Sequence, residues 1–209
     1  MKRNKRMSTE TLTLGAILTA TVVILQYLAI LIKVALPILP FTVSLVLIPI
    51  VIGAAKCGPW MGAWLGFVFG VIVLISGDAA AFLAINPFGT VLTVLVKGTL
   101  CGLASGLVYW ALAKDNLELV GLFTAAAVCP IVNTGIFLLG CLTFFFDAVK
   151  EMAGAADSSV FAFLIVGFVG LNFVFELLLN LLLTPALQRI ITAIAPKKKG
   201  SAPLPPKAV

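Results

Sequence analysis

The chain has 209 residues, 62% of them hydrophobic and 11% charged, with 14 Lys and Arg against 8 Asp and Glu. It has no histidine, which excludes His-ligated metal or haem and imidazole-based catalysis, and no GxxxxGK[ST] loop, which excludes a P-loop ATPase within this chain. The net charge of +6 invites a nucleic-acid reading, but the basic residues sit in the gaps between apolar runs, as they do in a polytopic membrane protein.

Six apolar segments are read in chain order, at 12–32, 43–55, 60–75, 88–113, 120–146 and 160–194. A bilayer core takes roughly 20 helical residues, so four of them are long enough to span. The second and third are short and joined by Lys56-Cys57-Gly58-Pro59, which reads as a tight helical hairpin. With the N-terminus inside, the inner loops and tails carry Lys2, Arg3, Lys5, Arg6, Lys56, Lys114, Arg189, Lys197, Lys198, Lys199 and Lys207, and the outer loops only Lys33 and Lys150. This bias predicts an all-α, six-helix transmembrane bundle with both termini cytoplasmic. The basic head resembles a signal peptide, but the first apolar segment is too long and lacks a small-residue cleavage site. The expected organisation is a basic N-terminus at 1–10, the bundle at 11–195, and a disordered basic, Pro-rich tail at 196–209.

In the first helix Ala16 and Ala20 form an AxxxA stripe beside Gly15, and Gln26 and Tyr27 lie in its outer half, where they are candidates for ligand contact. Gly58, Gly62, Gly66 and Gly70 on the third helix, and Gly98, Gly102 and Gly106 on the fourth, recur every four residues. Such ladders let backbones approach closely, either within one bundle or against another subunit. Trp60 and Tyr109 fit interfacial anchors, with Trp64 one turn further in. Asp78 precedes Ala79-Ala80-Ala81-Phe82, a small-residue run that suggests a flexible or partly helical cover.

Asn86 and Pro87 fit the N-cap and first position of the fourth helix, and Ser158 or Ser159 fits a cap for the sixth. Lys97 falls about 16 Å below the start of the fourth helix. An ammonium at that depth must face the bundle interior, a partner or a bound anion. Asn133 reaches a similar height on the fifth helix, and Asn172, Glu176 and Asn180 form one polar stripe on the sixth. Lys97 and Glu176 make the natural ion pair, read either as a clasp between helices or as part of a ligand site. Substrate candidates are thus Asn86, Lys97 and Asn133, then Gln26, Tyr27, Asn172 and Asp78. Phe144-Phe145-Phe146 reads as an anchor or a stacking surface. Cys57, Cys101, Cys129 and Cys141 lack CxxC spacing and read as buried, inert thiols. No cofactor or metal site is expected.

These features together, six helices with both ends inside, an AxxxA stripe in the first and no ATPase motif, resemble the substrate-binding S component of an energy-coupling-factor (ECF) vitamin transporter. The run from Pro40-Phe41-Thr42-Val43-Ser44 to Pro49, Gly53 and Lys56-Cys57-Gly58-Pro59-Trp60-Met61-Gly62 is similar to the folate and pantothenate branch. The resemblance implies a non-enzymatic vitamin binder of the bacterial plasma membrane that docks on a transmembrane coupling protein and two ATPases. It assigns coupling-subunit contact to Ala16 and Ala20, and places substrate beneath the outer loops at 34–41, 76–86 and 147–159. Pantothenate is favoured, with folate or another vitamin-like acid next. A stand-alone secondary carrier using Glu176 and Lys97 is the alternative, although no internal repeat is evident. A membrane scaffold without a ligand is a third reading.

Overall fold

The computed structural model describes residues 9–35, 45–114 and 117–194. The N-terminal basic residues, most of the 34–41 loop, the Pro40 to Ser44 run and the 196–209 tail lie outside these. Every regular element among the described residues is helical: α1 (Thr9–Ala35), α2 (Leu47–Cys57), α3 (Pro59–Ile75), α4 (Ala80–Ile85), α5 (Pro87–Ala113), α6 (Glu118–Phe144), α7 (Phe146–Ala155), α8 (Val160–Ala162) and α9 (Leu171–Ile194), with a π-helical stretch, Phe163–Gly170, between α8 and α9. Three of them, α1, α5 and α6, are long and apolar enough to cross a membrane, while α2, α3 and the Phe173–Ala186 part of α9 are shorter apolar helices.

The apolar segments of the sequence all become helices, with one correction. The fifth segment stops at Phe144, where Phe145 leaves helical geometry, and the following stretch, expected as loop, begins with α7. The 76–86 connection holds the short helix α4, as a partly helical cover would. The sixth segment is one long helical run interrupted by the π stretch.

Helix α2 is the hub of the bundle. Its residues Leu47, Ile50 and Val51 are completely buried, and it touches α1, α3, α5, α6 and α9. The turn into α3 needs a left-handed residue, and Gly58 supplies it at φ 101°. Pro59 then occupies the first position of α3, where its missing N–H leaves no bond unmade.

The two glycine ladders face each other. A Cβ on Gly66 would run into the Gly98 carbonyl and one on Gly98 into the Gly66 carbonyl, while Gly62 and Gly102 stand in the same relation one turn away. Gly70 meets the Val94 carbonyl, at 2.9 Å from where its Cβ would be, and Gly106 meets Pro59. The ladders therefore close an antiparallel seam inside this chain, and neither is left for another subunit. In lipid, where helices gain nothing from hiding apolar surface, this backbone-to-backbone contact is what joins α3 to α5.

Candidate functional site

The bundle has two ends. The turn end carries Gly58 and the α5–α6 connection, and the mouth end carries α4, α7 and the start of α5. At the mouth, Asn86 caps α5: its Oδ1 accepts from Gly89 N at 2.9 Å, and its Nδ2 donates to the Phe144 carbonyl at 3.4 Å. The cap thus ties the start of α5 to the end of α6. Ser159 caps α8 in the same way, accepting from Ala162 N at 3.2 Å.

Residues 93, 97, 101 and 105 of α5 recur every four and lie on its α6-facing side. Thr93 packs on Gly140, the Lys97 ammonium sits 5.3 Å from the centre of the Phe137 ring, and Ser105 donates to the Ala125 carbonyl at 3.1 Å. Cys101 and Cys129, both fully buried, meet between Lys97 and Ser105. This register brings Asn133 to the height of Lys97 and Cys101. The Lys97 side chain is half-buried and points between helices, and the charges of Glu176 on α9 and Asp78 above α4 both reach it, Glu176 more strongly. A cation over an aromatic face is stabilised by the ring's electron-rich surface where water is partly excluded.

At the rim, Gln26 is 4% exposed and its Nε2 lies 3.5 Å from Asp78 Oδ2, which brings α1 to the loop before α4. Tyr27, its neighbour, turns outward and is 45% exposed. The covering layer is aromatic. Phe82 of α4 meets Phe137 edge-on at 5.5 Å and Phe145 at 5.0 Å, so α4 rests on the same ring that carries Lys97. Of the Phe144-Phe145-Phe146 run, Phe145 is buried under this lid and Phe146 is exposed.

The structure pairs Gln26 with Asp78, sets Lys97 over Phe137, buries Asn133 and Glu176 on the neighbouring helices α6 and α9, and uses Asn86 as the cap of α5. Asn172 belongs to α9, and its side chain is outside the described ones. Asn180 is fully buried one turn beyond Glu176, where its Nδ2 donates to the Glu176 carbonyl at 2.9 Å. Sequence reasoning missed Thr93, Phe137 and Phe82. The first carried a readable signal, since it stands one turn from Lys97 on the same face. No group of three or more metal-ligating side chains occurs among the described residues.

On α1, Ala16 and Ala20 are exposed, whereas Gly15 and Leu18 pack inward against Met61 and Gly53. Trp64 reaches back to α1 through its Nε1, 3.3 Å from Thr19 Oγ1, and Trp60 is 81% exposed near the turn end.

A family model described as ECF transporter, substrate-specific component, matches residues 10–188. No curated protein and no solved structure matches the chain.

Proposed function

The chain belongs to the ECF transporter substrate-specific component family, and on that premise we propose that it binds a water-soluble vitamin at the outer face of the bacterial plasma membrane. This family is a transporter component rather than an enzyme family. The proposed ligand is a vitamin-like acid, pantothenate first and folate or a related acid next. In this reading six helical passes leave both termini in the cytoplasm and turn the mouth outward.

The observation that carries the reading is the half-buried Lys97 ammonium, about 15 Å below the start of α5, held over Phe137 beneath an aromatic lid. A carboxylate entering between α4 and α7 meets that cation in a low-dielectric setting, where a charge-assisted hydrogen bond is strongest. Lys97 is the anchor, Asn133 the second polar contact, and Gln26 with Asp78 the rim. Asn86 acts through the cap that shapes the entrance. Tyr27, facing outward, is left to the lipid boundary. Without ligand, Glu176 serves as the counter-charge of Lys97.

Transport in this account requires a membrane coupling protein and two ATPases, with the exposed Ala16 and Ala20 stripe as the docking face. Purification of the tagged chain from its native membrane tests it. Co-isolation with ATPase subunits, ATP-dependent vitamin uptake, and loss of both in the Ala16→Trp, Ala20→Trp double variant are the expected results. Uptake driven by a proton gradient with no partner would establish a stand-alone carrier instead.

A further inference from the structure

Three buried side-chain oxygens lack a hydrogen-bond partner among the described residues: Thr93 Oγ1, Asn133 Oδ1 and Asn180 Oδ1. A buried acceptor without a donor is costly, so each orphan needs a reason. Thr93 Oγ1 is wedged in the α5–α6 seam, 2.6 Å from where a Gly140 Cβ would stand. Asn180 is pinned inside α9 by its bond to the Glu176 carbonyl, and Thr184 bonds to its own carbonyl at 2.9 Å.

Asn133 differs. It is 7% exposed and sits one turn along α6 from Phe137, the ring under Lys97, and one turn from Cys129. Near the height of Lys97 the Asn133 amide oxygen is thus a buried acceptor with no donor among the described residues. A ligand group that meets this oxygen has to donate, because a second acceptor or a bare hydrocarbon would leave it without a partner.

We infer that Asn133 Oδ1 reads a hydrogen-bond donor on the substrate, an N–H or O–H on the same molecule as the anionic group that meets Lys97. The inference rests on the reading of Lys97 and Asn133 as the ligand site and narrows the class of acid it takes. An acid with an amide or hydroxyl along its body fits, and one with a plain hydrocarbon body is rejected. Such discrimination is strong because a site built to accept a hydrogen bond is left unpaired by an analogue that lacks the donor.

The test is calorimetric titration of the detergent-purified full chain with two probes. One is pantothenate. The other is its N-methyl, di-O-methyl derivative, which keeps the carboxylate and loses every N–H and alcohol O–H. Wild type is expected to prefer pantothenate by about tenfold or more. Asn133→Asp, which keeps an acceptor, retains the preference, and Asn133→Leu reduces it to within about twofold, the level expected once the hydrogen bond is gone. Should Asn133→Leu not fold, Asn133→Ala serves, with thermal melting as the check. Equal wild-type affinity for both probes, or an undiminished preference in Asn133→Leu, overturns the donor inference while leaving the ligand site standing. If wild type binds neither probe, pantothenate is the wrong ligand, and native mass spectrometry of the purified chain decides. A retained molecule with such a donor, lost in Asn133→Ala, supports the inference, whereas one without a donor overturns it. A chain that retains nothing overturns both the inference and the reading beneath it.

Discussion

Two faces of α5, one residue apart in register, do opposite work. Val94, Gly98, Gly102 and Gly106 form a surface with almost no side chains, closed against α3 until backbone meets backbone. Thr93, Lys97, Cys101 and Ser105 form the next surface, which carries an ammonium, two hydroxyls and a thiol toward α6. The first tolerates nothing added. The second holds polar atoms that packing alone does not satisfy. The contrast teaches that rigidity and binding are separated here by rotation about a single helix: the glycine seam fixes α5 so that the polar stripe can keep a charge at a defined depth.

The sharpest way to break that contrast is to thicken the seam. Gly98→Leu, or Gly66→Leu, drives a side chain into a facing carbonyl that cannot rotate away, so the expected loss exceeds about 3 kcal/mol. Thermal melting and gel filtration in detergent should show no folded monomer. A melting point close to wild type would mean that α3 and α5 do not meet at these glycines.

The next effect concerns the polar stripe. Lys97→Met should destabilise the empty protein by about 3 kcal/mol, because it removes a counter-charge of the buried Glu176 carboxylate, and Glu176→Leu should cost less, because Lys97 is half-buried and Asp78 still acts on it. The double variant should recover most of that loss while failing to bind ligand. Thermal melts read the first part and titration the second. Additive losses in the double variant would show that the two charges are independent.

The smallest effect is expected at Thr93. Its hydroxyl has no partner, so Thr93→Val, similar in shape, should change stability by less than about 1 kcal/mol and leave ligand affinity unaltered. A larger loss in the melt would assign the hydroxyl a bond that the packing on Gly140 does not suggest.

Much of this arrangement was legible in the sequence because lipid imposes simple rules. Apolar runs marked the helices, Asn86-Pro87 marked the start of α5, and glycines every fourth residue marked the seam, although which surface they met had to come from the fold. The mouth was less legible. Helix α7 is short and carries Asp147, Lys150 and Glu151, so its composition resembled a loop, yet Val149 and Ala153 are buried on one side of it. The π stretch lies in a uniformly apolar run, which has no period to reveal a change of helical pitch.

At the site the limit was direction. Gln26 and Tyr27 are adjacent and equally plausible in sequence, but neighbouring helical residues point about 100° apart, and only Gln26 faces Asp78. Thr93 passed unnoticed because a threonine in a membrane helix ordinarily bonds the carbonyl four residues back, as Thr90 and Thr99 do here. Phe137 gave no sign of its role, since nothing in an apolar helix marks the ring that lies beneath a cation.

The central claim, that Lys97 anchors a small acid inside the bundle, is tested most directly by native mass spectrometry of wild type beside the stability-matched Lys97→Met, Glu176→Leu variant, both released from membranes without added ligand. The account predicts a discrete bound mass, identifiable as a carboxylate-bearing molecule, on the wild type and none on the variant. Equal occupancy in the two proteins, or a wild type with no bound mass that also fails to bind any vitamin-like acid, would contradict it.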